Sequence, residues 1–212
     1  MDPLTLALPT GRLFDDAVAL LRRLDVLDDL PAERSLVVPG RNGFRLVIVK
    51  PADIPTYVEY GAADAGIVGK DVLLEQGRHV YELFDLGFGA CRGVVALPED
   101  RLETAWRPGV LLRIATKYPQ VTTQFFAHQR RPVEIVAVHG SVELAPRAGL
   151  ADGIMDLVMT GRTLRENGLV EAAEVFRSTA RLIVNRVSLR TRAAHLRPVF
   201  EQIEALTRPA AR

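Results

Sequence analysis

Gly61-Ala62-Ala63-Asp64-Ala65-Gly66-Ile67-Val68-Gly69 and Gly149-Leu150-Ala151-Asp152-Gly153-Ile154-Met155-Asp156-Leu157-Val158 share one pattern. Each follows a segment with helical spacing. Each opens on Gly-x-Ala-Asp, runs through an apolar strand-like stretch, and reaches a glycine (Gly69, Gly161) that opens a helix. βα units resemble one another by construction, so chance is one explanation of this echo. The other is a pair of similar α/β lobes flanking a cleft, with ligands bound where strand ends and helix N-termini converge.

Outward from these units, short apolar runs alternate with amphipathic stretches. Leu4–Leu8 reads as a buried strand stopped by Pro9-Thr10-Gly11, and Leu13, Ala17, Leu20, Leu21 and Leu24 then recur at helical spacing. Ser35–Val38 and Arg45–Val49 read as strands around the turn residues Gly40-Arg41-Asn42-Gly43. Further strands are expected at Ala65–Val68, Val80–Phe84, Gly93–Leu97, Arg113–Ala115, Val133–Val138, Ile154–Val158 and Arg181–Val184. Helices are expected at Ile54–Tyr60, Asp71–Glu75, Gln120–His128 and Glu143–Ala148, with another starting at Thr163–Glu166. A terminal helix over Arg190–Leu206 is expected to bend at Pro198. Strands alternating with helices predict an α/β fold with a largely parallel sheet.

Composition narrows the class of function. The 212 residues are 48% hydrophobic, enough for a packed core and too apolar for a disordered chain. Lys+Arg 27 against Asp+Glu 26 leaves +1, which argues against a dedicated nucleic-acid binder. Cys91 is the only cysteine, so no intramolecular disulfide framework or thiolate zinc cluster is available, and it reads as a packed, inert thiol. His79, His128, His139 and His195 make no i,i+4 pair. No apolar stretch reaches the roughly 18 residues of a membrane span, and no signal-peptide pattern opens the chain. A cytoplasmic protein is expected. Trp106, near Pro108-Gly109, reads as a hairpin-packing residue.

Asp156-Leu157-Val158-Met159-Thr160-Gly161-Arg162-Thr163-Leu164 carries the clearest chemistry. An apolar strand with an acidic residue ends in a Thr-Gly-Arg-Thr turn that opens a helix. Backbone N–H groups of Gly161, Arg162 and Thr163 and the hydroxyls of Thr160 and Thr163 would form a phosphate cradle. Asp156 stands where a carboxylate can accept bonds from ribose hydroxyls. The competing role is a plain N-cap by Thr160 or Thr163. The pattern resembles the phosphoribosyl-diphosphate loop of type I phosphoribosyltransferases, which usually carry two adjacent acids where this chain has one.

A closer resemblance emerges from the remaining stretches in order: Leu6-Ala7-Leu8-Pro9-Thr10-Gly11-Arg12-Leu13, Gly87-Phe88-Gly89-Ala90-Cys91-Arg92, Arg113-Ile114-Ala115-Thr116-Lys117-Tyr118-Pro119, Gly140-Ser141-Val142-Glu143-Leu144-Ala145-Pro146-Arg147-Ala148-Gly149-Leu150-Ala151-Asp152, and Leu164-Arg165-Glu166-Asn167-Gly168-Leu169. Together they resemble the ATP phosphoribosyltransferases of histidine biosynthesis over essentially the whole chain, in their short form. The resemblance implies a two-lobed α/β architecture like type II periplasmic binding proteins, with the active site in the inter-lobe cleft. Lobe one would hold 1–88 plus 178–212 and lobe two 89–177. The reaction implied joins N1 of ATP to C1 of phosphoribosyl diphosphate and expels diphosphate, with Mg²⁺ on the diphosphate substrates and no metal ligands from protein side chains. The partners implied are a histidyl-tRNA-synthetase-like regulatory subunit and a second copy of this chain.

The same resemblance nominates residues. Arg12 and Arg34 would stabilise the departing diphosphate. Many members carry Lys where this chain has Thr10; if that lysine helps bind ATP or diphosphate, Arg12 or a partner chain carries more of the load here. Glu143 would contact the ribose; Asp152 would do the same or would simply terminate the preceding helix. Gly11 and the Gly69-Lys70-Asp71 turn would face ATP, although Asp71 also suits an ordinary helix start. Lys117-Tyr118 follows a strand and would reach the cleft. Two other functions share parts of this pattern: a non-catalytic two-lobed small-molecule-binding module, and a phosphoribosyltransferase with a single Rossmann-like core. Fold alone does not separate enzyme from binder.

Overall fold

The computed structural model describes residues 2–28 and 35–207. The chain divides into two compact units, one formed by Met1–Leu73, Gly77–Gly89 and Thr179–Arg212, the other by Leu74–Gln76 and Ala90–Ser178.

The first unit contains strands β1 (Leu4–Pro9), β2 (Val37–Pro39), β3 (Phe44–Val49), β4 (Ala65–Gly69) and β5 (Tyr81–Asp85), with helices α1 (Phe14–Arg23), α2 (Ile54–Glu59) and most of α3 (Lys70–Gln76). The second holds β6 (Cys91–Pro98), α4 (Leu102–Ala105), β7 (Leu112–Thr116), α5 (Pro119–His128), β8 (Val133–Ala137), β9 (Gly153–Val158), α6 (Arg162–Glu166) and β10 (Leu169–Ser178). The chain then returns to the first unit with β11 (Ala180–Val184), α7 (Ser188–Thr191) and α8 (Ala193–Thr207).

Every residue of β1 is buried, as a continuous apolar strand must be when both sheet faces are covered. Leu4, Leu6 and Leu8 pack with Ala17, Leu20 and Leu21 of α1 and with Leu196 and Ile203 of α8. Ala7, on the other face, packs with Ile54 and Val58 of α2. In the second unit Val95, Ile114 and Met155 meet Val121 and Phe126 of α5, while Val94, Ala115 and Ile154 meet Val142 and Leu164.

The sheet orders are β2-β3-β1-β4-β11-β5 and β10-β6-β9-β7-β8. Only β3–β1–β4 and β9–β7–β8 run parallel; the other neighbours are antiparallel, so the sheets are mixed rather than largely parallel. The antiparallel neighbours include β11, which leaves β10 of one sheet through Thr179 and joins the other sheet between β4 and β5.

Other departures have local causes. Glu143–Ala148 is not an α-helix but a 3-10 turn at Val142–Leu144 followed by turns; Pro146 lacks the N–H that an α-helix would donate to the Val142 carbonyl, which instead accepts from the Ala145 N–H at 3.1 Å. The terminal helix is interrupted at Arg192, where φ is −117° and ψ 19°, and Pro198 lies inside α8. Trp106 sits in no hairpin. It follows α4, packs edge-on against Phe126 at 6.0 Å, and carries the Arg131 guanidinium 4.0 Å above its ring.

The Gly-x-Ala-Asp echo has a common physical role. The Asp64 N–H donates to the Thr5 carbonyl at 2.7 Å, and the Thr5 N–H donates to the Asp64 carboxylate at 2.8 Å. The Asp152 N–H donates to the Arg113 carbonyl at 2.7 Å, and the Arg113 N–H donates to the Asp152 carboxylate at 2.9 Å. Each aspartate thus clamps the start of its strand to the neighbouring parallel strand. Asp64 also accepts from Ser188 Oγ at 2.7 Å and from Arg192 Nη1 at 3.3 Å, and Asp152 from Arg101 and Arg113 at 3.4 Å. Burial would raise the Asp152 carboxyl, but the Arg113 backbone N–H and the two guanidinium groups outweigh it and hold it below its ordinary value. Its contribution to stability is therefore present above the unfolded value near 3.8 and is lost as pH falls through the lower folded value.

Asp64→Ala should cost on the order of 2–4 kcal/mol, because it leaves the Thr5 N–H, Ser188 hydroxyl and Arg192 guanidinium without their acceptor. Thermal denaturation should show a drop of roughly 5–10 °C. Asp64→Asn, which retains an acceptor for Thr5, should lose less.

Candidate active site

In the second unit the carboxyl ends of β7 and β9 converge, as parallel strands of an α/β sheet do around a ligand. Thr116 stands opposite Met155, so the next residues, Lys117 and Asp156, lie alongside. A concavity of about 340 Å³ opens here, lined by Glu143, Asp156 and the Met159–Thr163 turn. Burial is the main influence on Asp156 and raises its pKa; nearby Glu143 raises it further, and the Leu157 N–H and Lys117 ammonium partly oppose them. The Leu157 N–H bond is 2.8 Å.

The turn has the geometry its sequence predicts. Gly161 is buried with φ +72°, a conformation that an L side chain adopts only under strain. The Arg162 N–H lies 3.5 Å from Thr160 Oγ1, and the Asn167 side-chain amide donates to the Thr163 carbonyl at 2.9 Å. The Arg162 guanidinium is exposed and paired with Glu166 at 2.6 Å, one turn along α6.

Asp152 does not join this group. It precedes β9, whereas Thr160–Thr163 follow it, and a six-residue strand spans about 20 Å. Its carboxylate is engaged by Arg113 and Arg101 at the strand's amino end. The expectation that Asp152 contacts the ribose is corrected accordingly: the Gly-x-Ala-Asp aspartate is a strand clamp.

In the first unit the Gly11–Leu13 turn follows β1, with Gly11 at φ +76°. Arg12 is exposed and one guanidinium nitrogen donates to the Gly89 carbonyl. Lys70 is ion-paired with Glu82 at 2.6 Å. Asp71 is buried, with its carboxylate folded over Gly69, where it would lie 2.2 Å from a Cβ at that position. Both side chains of that expected ATP-facing turn are therefore engaged within their own unit. Arg34 lies outside the described residues. Cys91 is buried at the start of β6.

Three residues beneath the turn are absent from the sequence-based set. Arg92 on β6 makes two 2.9 Å bonds to the Glu171 carboxylate on β10 and a third of 3.3 Å to Glu174. Arg165 of α6 reaches back to the Thr160 carbonyl at 3.4 Å. Arg92 and Glu171 are 79 positions apart and carry no local signal of pairing. Arg165 belongs to a stretch that was legible, Leu164–Leu169.

Asp156→Asn should raise the melting temperature at neutral pH. With the folded pKa raised above 3.8, ionisation weakens the native state as pH climbs through the folded value. The amide removes that penalty and still offers an oxygen to the Leu157 N–H. Melting curves should therefore separate from wild type at pH 7 and converge near pH 3.

A family model described as HisG, ATP phosphoribosyltransferase, matches residues 50–205. The ATP phosphoribosyltransferase of Moorella thermoacetica is 53% identical to this chain, over 98% of it and 93% of the relative. The ATP phosphoribosyl transferase (HisG:HisZ) complex from Thermotoga maritima contains a chain that is 36% identical and superposes with a TM-score of 0.84, over 96% of this chain and 97% of that one. Holo ArgBP from T. maritima, at 13% identity and a TM-score of 0.53 over 98% of this chain and 92% of its own, shares the fold alone. The binding-module alternative thus has only architecture in its favour, while sequence identity across almost the whole length runs to enzymes. This chain belongs to the HisG family of ATP phosphoribosyltransferases.

Proposed function

We propose that the Thr160–Thr163 turn of this ATP phosphoribosyltransferase receives the 5-phosphate of phosphoribosyl diphosphate, and that Glu143 and Asp156 meet the ribose hydroxyls. The observation that carries this reading is the concavity shared by Glu143, Asp156 and the turn. The phosphate would accept bonds from the N–H groups of Gly161, Arg162 and Thr163 and from the threonine hydroxyls.

The enzyme's reaction is a displacement at ribose C1. The lone pair of adenine N1 forms the new bond, and the pair of the C1–O bond departs with diphosphate. No side-chain nucleophile is needed. The protein has to align two polyanions and to favour charge gathering on the leaving group. Arg12 is proposed to stabilise that leaving group, since one nitrogen binds the Gly89 carbonyl and a guanidinium has five donors. Arg34, outside the described residues, is proposed for the same role from the family resemblance alone. For ATP, the backbone at Gly11 and Gly69 remains in the reading; Lys70 and Asp71 are assigned to packing of their own unit.

Among the described residues no group of three or more His, Cys, Asp or Glu side chains is placed to hold a metal ion. Mg²⁺ dehydrates reluctantly and binds through phosphates with one or two carboxylates, which suits entry on the substrate with Glu143 and Asp156 nearby. When bound it would neutralise diphosphate charge.

The resemblance to the short form, and the similarity to a chain from a HisG:HisZ complex, support assembly with a synthetase-like regulatory subunit and a second copy of this chain. No described helix is long and apolar enough to cross a membrane. A biosynthetic enzyme using ATP is placed in the cytoplasm on this reading.

Thr163→Ala should raise KM for phosphoribosyl diphosphate roughly tenfold or more, the scale of losing one hydrogen bond to a charged group. Steady-state kinetics following the adduct's absorbance and diphosphate release would read it. An unchanged KM would remove the turn from the site. The isolated chain should bind its substrates yet resist histidine, and gain histidine inhibition only with the regulatory subunit. A histidine titration with and without that subunit decides it, and saturable inhibition of the chain alone would overturn this assignment.

A further inference from the structure

We propose that Arg165, with the Glu171–Arg92 ion pair close by Gly161, is the positioning residue of the Thr160–Thr163 turn, its side chain fixing the Thr160 carbonyl so that the turn's N–H groups are left for a sugar phosphate. The inference rests on the turn being the phosphate site.

A turn can present either N–H groups or carbonyl oxygens to a ligand, and a phosphate dianion is repelled by the oxygens. Both carbonyls at the start of this turn are already engaged by one residue. The Thr160 oxygen accepts from Arg165 Nη1 at 3.4 Å, and the Gly161 oxygen accepts from the Arg165 backbone N–H at 3.2 Å. The peptide planes on either side of Gly161 are therefore held from one side chain and one backbone position of α6. The guanidinium packs close: a Cβ built on Gly161 would lie 3.1 Å from Arg165 Nη1 and 3.7 Å from Glu171 Oε1. Its positive charge beneath the turn also favours an anion above it.

Glu171 is itself fixed. Two 2.9 Å bonds tie both its oxygens to Arg92, and Glu174 takes a third bond from Arg92 while accepting from Arg177 Nε at 2.8 Å. Arg92 and Glu171 belong to strands β6 and β10, so the support under the turn is built on a sheet rather than a loop. A purely structural Arg165 would hold α6 in place and affect all ligands alike. A positioning Arg165 affects only the ligand that uses the turn.

Calorimetry on the full chain with ribose 5-phosphate, phosphoribosyl diphosphate with Mg²⁺, and ATP separates these roles. Arg165→Met should weaken both sugar phosphates about tenfold and leave ATP affinity within about twofold. Arg165→Lys should recover only part, since an ammonium lacks the planar fork. Glu171→Gln, which keeps the shape but loses the charge that orients Arg92, should weaken the sugar phosphates by a smaller factor. If Thr163→Ala weakens ribose 5-phosphate and Arg165→Met does not, the turn is the site and the positioning role is wrong. If neither variant changes it, the phosphate reading itself fails. Equal losses for ATP and ribose 5-phosphate would mark a general structural role and overturn the inference. Should Arg165→Met not fold, unchanged sugar-phosphate binding in both Arg165→Lys and Glu171→Gln would overturn it equally.

Discussion

A carboxylate at the head of a strand, bonded to the backbone N–H of its parallel neighbour, sets the register of each unit. Asp64 does this for β4 against β1, and Asp152 for β9 against β7. Register in a sheet is all or nothing, because a slip of one residue sends every side chain to the opposite face. In the second unit such a slip would exchange Asp156 with Leu157. The clamp at one end of β9 therefore determines which side chain stands beside Glu143 near the other end, and with it the chemistry of the concavity. The cost of burying each carboxylate is offset by several donors to each.

Asp156 has the opposite electrostatic character. Asp152 is surrounded by donors and held below its ordinary pKa, whereas Asp156 is raised, mainly because it is desolvated. One backbone N–H and a nearby ammonium do not satisfy a carboxylate that could accept several bonds. On the proposed reading a sugar hydroxyl would supply what is missing, and substrate binding would relieve a penalty that folding leaves in place. Two aspartates four positions apart, one just before β9 and one within it, thus differ in ionisation because of environment rather than residue type.

Much of this was legible in the sequence where chemistry and local geometry coincide. Pro9-Thr10-Gly11 stops β1, and Gly161 marks the positive φ of the phosphate turn. Legibility failed where a role depends on distant partners. Asp152 lies near the turn in sequence but at the far end of the strand, and its function is fixed by Arg113 and Arg101. Strand β10 was invisible because register shifts between Glu171 and Ala173 and between Glu174 and Phe176 break the period-two alternation. With β10 unread, neither Glu171 nor its pairing with Arg92 could be placed under the turn. The mixed direction of the strands had no local signature either, since direction is a property of neighbours.

The two related units also explain why a phosphate cradle is expected in one and not the other. Both have a parallel strand that ends in a glycine-containing turn and opens a short helix. In the first, Asp71 is the second residue of α3, and its buried carboxylate lies over Gly69. That carboxylate lies in the first turn of α3, where a negative charge interacts favourably with the helix dipole. In the second, the corresponding positions after Gly161 are Arg162 and Thr163, with no carboxylate in the first turn of α6. The cation beneath it, Arg165, adds to the attraction for an anion instead of cancelling it. The backbones differ as well: Gly69 is extended, at φ −70° and ψ 144°, whereas Gly161 is left-handed, at φ 72° and ψ 5°, so the two helix starts differ in geometry as well as in the acidic side chain that one carries where the other has a hydroxyl.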